Sequence, residues 1–290
     1  MGKVRGFLDL TRILPNQIML GTGVLIGEII SVHGPPPARL AILGFSGPFL
    51  LGTSTFAMND YFDLEADRAG GREDRPLVRG DISPRTAMGV FLVGFPLGLV
   101  LSSAINWRCL LTAVVFASLA ILYNLRMKET GLPGNLFIAA TMGIPFIFGS
   151  FAVGGGLSIP IVVLSLIAFL AGCGREVLKD IMDVKGDELR RSRSVARTWG
   201  IERAARLSSG FLLVAVALSP IPFLIEESGS YYMNPGYMIP ALVTDAILVW
   251  TVRRALAISE PDDAVILRRS SLFALLIGLV AFLLGAFSVT

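Results

Sequence analysis

The chain has 290 residues, 53% of them hydrophobic and only 16% charged. Soluble domains carry roughly 25% charged residues, so this balance, with a mean hydropathy of +0.70, excludes an ordinary soluble domain. It predicts an all-α membrane protein, because helices satisfy their own backbone in lipid. Two cysteines, Cys109 and Cys173, fall in separate apolar runs and offer neither a disulfide framework nor a thiolate metal site.

Nine apolar runs of membrane-spanning length follow one another, at 13–32, 38–59, 85–105, 108–124, 134–153, 158–178, 204–225, 236–253 and 269–288. The first has Lys3 and Arg5 ahead of it, like a signal sequence. It also contains Asn16 and Glu28 and ends in His33-Gly34-Pro35-Pro36-Pro37 without a small-residue cleavage site, so it reads as a retained span. Only Asn106 and Trp107 separate the third and fourth runs, which predicts a tight helical hairpin. With the N-terminus in the cytoplasm and sides alternating, all of the 25 lysines and arginines except Arg39 and Arg108 fall at cytoplasmic ends. That asymmetry is the positive-inside pattern of a multi-pass cell-membrane protein, with its C-terminus outside. It accounts for the net charge of +3 without any nucleic-acid partner.

Two acidic strings carry the chemistry. Asn59-Asp60-x-x-Asp63-x-x-x-Asp67 follows the second span, and Asp180-x-x-Asp183-x-x-x-Asp187 follows the sixth. On a helix these offsets put three carboxylates within about 60° of one face. Six crowded carboxylates repel unless cations bind between them, and Mg2+ is the hard, oxygen-seeking choice that leaves positions open for phosphates. At the end of an apolar bundle, this points to Mg2+-bridged capture of an isoprenyl diphosphate.

A basic loop follows each string, at 68–83 and 188–198. Arginine forks suit the diphosphate oxygens that Mg2+ leaves free, and Arg75, fixed beside Pro76, is the better candidate among cations that otherwise anchor anionic lipid. The recurrence of Asp60 at Asp180 suggests one domain, 1–290, built as a pseudo-repeat of halves 1–124 and 125–290. A third cluster, Tyr123-Asn124-Leu125-Arg126-Met127-Lys128 with Gly131 and Gly134-Asn135, ends the fourth span. A tyrosine there is as readily an interfacial anchor. Glu28, Asp245 and His33 receive no role.

With both motifs, the spans and the loops in view, the chain resembles the UbiA superfamily of intramembrane prenyltransferases over nearly its whole length. Asn59 through Asp67 resembles that family's first aspartate motif, Asp180 through Asp187 its second, Tyr123 through Lys128 its fourth-helix Tyr/Lys segment, and Arg12 with Asn16 the polar pair of its first helix. The resemblance implies nine helices around a central cavity, with two Mg2+ ions held by Asp60, Asp63, Asp67, Asp180, Asp183 and Asp187. It implies Tyr123 and Lys128 as catalytic groups, and a prenyl diphosphate and a lipophilic acceptor as the substrates, with membrane lipid around them and no obligate protein partner. Asn16, Asn59, Arg12, Arg75 and Lys179 are candidates to orient the diphosphate, and Arg72 and Arg126 to hold a phosphate on the acceptor.

Within the superfamily, Asp74-Arg75-Pro76 with Gly80-x-Ile82-Ser83, and Arg175 through Asp187, resemble the geranylgeranylglyceryl phosphate geranylgeranyltransferases of archaeal ether-lipid synthesis. The Arg-Thr-x-x-Arg-Pro string of many aromatic-acceptor and haem-O members is here Gly71-Arg72-Glu73-Asp74-Arg75-Pro76. The alternatives are an aromatic-acceptor enzyme of quinone synthesis and, in a different class, a membrane transporter. Transporter sites lie near the midplane in broken helices, whereas these motifs lie at span ends.

Overall fold

A computed structural model describes residues 2–127, 130–184, 193–258 and 260–287. Among these residues, nine helical segments are long and apolar enough to cross a membrane. The first span is Gly2–Val32, broken into α1 (Gly2–Thr11) and α2 (Ile18–Val32). It therefore starts well before the expected residue 13. Next come α3 (Ala38–Phe62), the short α4 (Leu64–Ala69), α5 (Pro84–Ser103), α6 (Trp107–Leu122), α7 (Leu132–Ala152) and α8 (Ile159–Met182). After α9 (Val195–Trp199), α10 (Ile201–Leu218) and α11 (Ile221–Leu224) make the seventh span, and α12 (Pro235–Leu256) and α13 (Ala264–Ala286) complete the set.

Local chemistry sets the starts. Ser83 caps α5 by accepting the Thr86 N–H at 3.1 Å, with Pro84 in the first turn. Asn106 caps α6 by accepting from Cys109 N at 3.0 Å, so the hairpin read from Asn106-Trp107 is a capped turn between two packed helices.

The spans close into a ring in the order α2, α3, α5, α6, α7, α8, α10, α12, α13 and back to α2. Cross-contacts of α2 with α7 and of α8 with α13 fill its middle, and α8 is the most buried span. The α2–α7 crossing is a backbone approach: a Cβ on Gly27 would overlap the Phe146 carbonyl, and one on Gly149 the Val24 carbonyl. Such contacts hold helices together where lipid supplies no hydrophobic drive. The core of this half gathers Ile26, Phe146, Ile161, Leu164, Tyr231, Tyr237 and Phe282. Outer faces of α5 and α12 carry exposed Leu92, Val93, Val100, Ile239 and Leu242, which fits lipid contact.

Both aspartate strings lie at one end of the ring, hereafter the motif end. The first is not one uninterrupted helical face, and α8 ends ahead of Asp183 in the second. Asp63 caps α3 at φ −84°, ψ −7°, and Asp183 caps α8 at φ −89°, ψ 4°. The path stays helix-like, since Asp63 N bonds Asn59 O at 3.0 Å, Asp67 N bonds Asp63 O at 2.8 Å, and Asp183 N bonds Lys179 O at 2.9 Å.

Candidate active site

The first motif is organised by an ion pair that bridges three segments. Asp60, near the end of α3, has its side chain 1% exposed. Its Oδ1 accepts from Arg12 at 3.0 Å and from Arg75 at 3.0 Å. Arg12 reaches it from the break in the first span, where its own backbone is left-handed at φ 48°, and its guanidinium lies 4.3 Å from the centroid of the Phe56 ring. Arg75 comes from the loop after α4, and its Nε lies 3.4 Å from Asp67 Oδ2. Two cations and two carboxylates balance, as buried charges must. The other Asp60 oxygen, Oδ2, is buried without a hydrogen-bond partner.

The loop that delivers Arg75 is pinned. Leu77 and Ile82 pack on Leu10, Ala57, Leu64 and Ala87. Arg79 joins Asp9 at 2.5 Å and Asp81 at 2.8 Å, and donates to the Asp74 carbonyl at 2.9 Å. Arg72 forks onto Asp74 through bonds of 2.8 and 2.9 Å. That fork holds the Asp74 carboxyl down at about 2 and raises the Arg72 guanidinium above its already high value. Asp67 and Asp183 add to that rise in smaller measure.

The second motif is tied to the other side of the ring. Asp180 Oδ2 accepts from Asn135 Nδ2 at 2.8 Å and from the Val195 backbone N–H at 3.0 Å. Gly131, at φ 69°, sets up this junction, because a Cβ there would strike the Arg193 carbonyl. Glu176, one turn earlier on α8, is buried and pairs with Arg175 at 2.8 Å and Lys179 at 3.3 Å.

Tyr123 stands between the two halves. It opens a π-type turn, Tyr123–Met127, and its ring centroid is 5.4 Å from that of Phe137. Asp63, Glu176, Asp180 and Arg12 all lie within its electrostatic reach. Beside it, Asn124 accepts from Asn59 and donates to the Ala120 carbonyl at 2.9 Å, linking the first motif to α6.

The structure thus brings together Arg12, Asn59, Asp60, Asp67, Arg75 and Tyr123, with Asp63, Asp183 and Arg72 at their edge and Asp180 and Lys179 on α8. Lys128 and Asp187 lie outside the described residues. Asn16 is exposed and joins no described contact of this cluster; its neighbour Gln17 is the buried amide, packed against Gly52. Arg126 is exposed. Sequence reasoning passed over Gln17 and Glu176 and gave no task to Asn124 or Asn135, whose one signal was their place in the quoted strings.

Among the described residues no three His, Cys, Asp or Glu side chains converge into a ready-made metal cage. The donor set still suits a hard divalent cation. Asp60 Oδ2 is an orphaned acceptor, and Asp63 and Asp183 sit half-buried at helix caps, so the available donors are carboxylate oxygens.

A ring of nine spans with paired aspartate strings and guanidiniums at one end defines an intramembrane prenyltransferase. The chain belongs to the UbiA prenyltransferase family, whose profile matches residues 20–277, and it is a multi-pass membrane enzyme. A digeranylgeranylglyceryl phosphate synthase from Archaeoglobus fulgidus is 40% identical over 98% of this chain and 96% of its own length. A solved structure of digeranylgeranylglyceryl phosphate synthase in membranes superposes with a TM-score of 0.79 at 30% identity, covering 99% of both chains. A UbiA homolog from Archaeoglobus fulgidus, solved with GPP and Mg2+, shares the fold at a TM-score of 0.64 and 18% identity, over 96% of this chain and 99% of its own.

Proposed function

We propose that this enzyme transfers a geranylgeranyl group from its diphosphate to the free hydroxyl of geranylgeranylglyceryl phosphate, forming the second ether bond of an archaeal lipid. The observation that carries this is the near-full-length relationship to the Archaeoglobus fulgidus synthase.

Mg2+ would be held by Asp60 Oδ2, Asp63 and Asp67 of the first motif and by Asp180, Asp183 and Asp187 of the second, one ion to each. When bound, it supplies positive charge to the diphosphate. The chain's own residues do the rest. Arg75 and Arg12, already oriented on Asp60, supply guanidinium donors for diphosphate oxygens. Asn59, fixed by Asn124, presents an amide at the same edge. The allylic carbon–oxygen bond breaks and its electron pair leaves with the diphosphate. The acceptor hydroxyl oxygen then bonds that carbon, and its proton passes to the diphosphate or a motif carboxylate. The Tyr123 ring face suits a cation-like carbon, and the apolar bundle keeps water from it. The distribution of lysine and arginine supports a cytoplasmic motif end and an outward C-terminus. The matching Asp63 and Asp183 caps support a single domain of two Asp-motif halves.

The test is a panel assay of purified enzyme with Mg2+ and geranylgeranyl diphosphate, offered geranylgeranylglyceryl phosphate, 4-hydroxybenzoate or a naphthoate in parallel. Prenylation of the glycerol phosphate alone is expected. Prenylation of the aromatic acids alone would overturn the acceptor.

A further inference from the structure

An acceptor that carries a phosphate needs cations of its own, apart from those around the donor. Arg72 is committed to Asp74, Arg126 is exposed, and no described contact joins the two. A different set of cations lies deeper. Arg175 and Lys179 are four residues apart on α8 and so share a face. Helix rise puts Lys179 about 6 Å and Arg175 about 12 Å below Asp183. Arg268 enters from the start of α13, its NH1 3.8 Å from Met182 Sδ.

These cations are short of anions. Arg175 and Lys179 share the single carboxylate of Glu176. The described ion pairs of Arg175 and Lys179 end there, and among the described residues Arg268 meets only a thioether, a weak acceptor. Among the described residues Arg175 Nε is buried with no hydrogen-bond partner, and Arg268 reaches Met182 on the same helix. Like charges gathered on and beside one helix repel, and each unmet buried donor costs free energy. An anion with several oxygens between them relieves both. The cluster sits on the helix that carries Asp180 and Asp183, with Glu176 buried one turn before Asp180.

We infer that Arg175, Lys179 and Arg268 form the subsite for the phosphate monoester of the lipid acceptor. The inference rests on the glycerol-phosphate reading of that acceptor. A phosphate here lies one to two turns from Asp183, which leaves the acceptor's neighbouring hydroxyl toward the motifs.

The test uses the full-length enzyme in phosphatidylcholine nanodiscs with Mg2+, varying both substrates, for the wild type, Arg175→Gln, Arg268→Gln and Arg268→Lys. The glutamine variants should raise the acceptor KM roughly 10–100-fold and leave the donor KM alone, with Arg268→Lys recovering most of the loss. Binding of the dephosphorylated acceptor alcohol should be the same in all four. If Arg175→Gln fails to fold, Arg268→Gln decides, because Arg268 holds no carboxylate among the described residues. An unchanged acceptor KM, a raised donor KM, or an equal effect on phosphorylated and dephosphorylated acceptors overturns the subsite. So does an effect that vanishes when phosphatidylglycerol is added, which would assign the cluster to bulk lipid headgroups. A wild type that uses geranylgeranylglyceryl phosphate while the variants stay insensitive sinks only the subsite. A wild type that rejects it sinks the acceptor reading and the subsite together.

Discussion

Replacing Asp60 with asparagine separates its structural task from its chemical one. Asp60 Oδ1 takes both guanidiniums at 3.0 Å while the side chain is 1% exposed. Asparagine keeps the shape and removes the charge, leaving Arg12 and Arg75 facing each other. Removing one partner of a buried pair costs about 3–5 kcal/mol. Here Arg12 and Arg75 keep 26% and 19% of their side chains exposed, and Arg75 retains Asp67. Solvent and that second carboxylate place the loss at the lower end, about 3 kcal/mol. Asp183→Asn, at a half-buried cap on α8, should cost no more than about 0.5 kcal/mol. Both variants should lose turnover. The measurement is unfolding in mixed micelles titrated with a denaturing detergent, paired with Mg2+-dependent diphosphate release. Adding Arg12→Gln to Asp60→Asn should restore about 1 kcal/mol by removing an uncompensated charge. Equal stability losses in Asp60→Asn and Asp183→Asn, or further loss in the double variant, would refute this reasoning.

Asp63→Ala and Asp183→Ala should each abolish diphosphate release in a folded protein, and chelation of wild-type enzyme should do the same until Mg2+ is returned; near-normal turnover in both variants would sink the two-motif reading. Cysteines placed at positions 70 and 203 should react only with reagent on the cytoplasmic side, and one at 230 only from outside. The native Cys109 and Cys173 are buried and give little background, and labelling of 70 and 203 from opposite sides would break the topology. Glu28 is fully buried in α2 with both carboxylate oxygens unpartnered; Glu28→Gln should stabilise the protein by about 1–3 kcal/mol in the same micelle titration, and a loss of stability would show an undetected partner. The Arg72–Asp74 fork lowers the Asp74 carboxyl to about 2. Its contribution is therefore complete above the usual carboxylate value and fades only as pH falls toward about 2. Asp74→Asn should leave the shape of the pH–rate profile between pH 5 and 9 unchanged, and a new inflection there would contradict the assignment.

The spans were legible because lipid demands long apolar runs, and the expected ranges fall on the observed helices within a few residues at most ends. The exception is the first, where Lys3, Arg5 and Asp9 hide a helical turn set that begins at Gly2. Hydropathy penalises those charges although Asp9 is held by Arg79. Arg12 and Asp60 could each be picked out, but their pairing across 48 residues is a tertiary fact with no local signature. The choice of Asn16 over Gln17 shows the limit of reading one polar residue inside a span: the break at residues 12–17 rotates the chain and turns Gln17 inward. Arg268 was absorbed into the positive-inside tally, which is blind to what a cation touches.

The knot of contacts at Asp180 bears on how this enzyme can be altered. One carboxylate oxygen is bonded by a side chain from α7 and a backbone N–H from α9, and the Gly131 turn lies against Arg193. The two interspan connections are therefore one mechanical part. A chimera that imports residues 193–198 from a relative with a different acceptor must import 130–135 with them. Exchanging either alone would graft a new surface onto a misfitted hinge, so an altered acceptor range in this family should be sought in paired loop swaps.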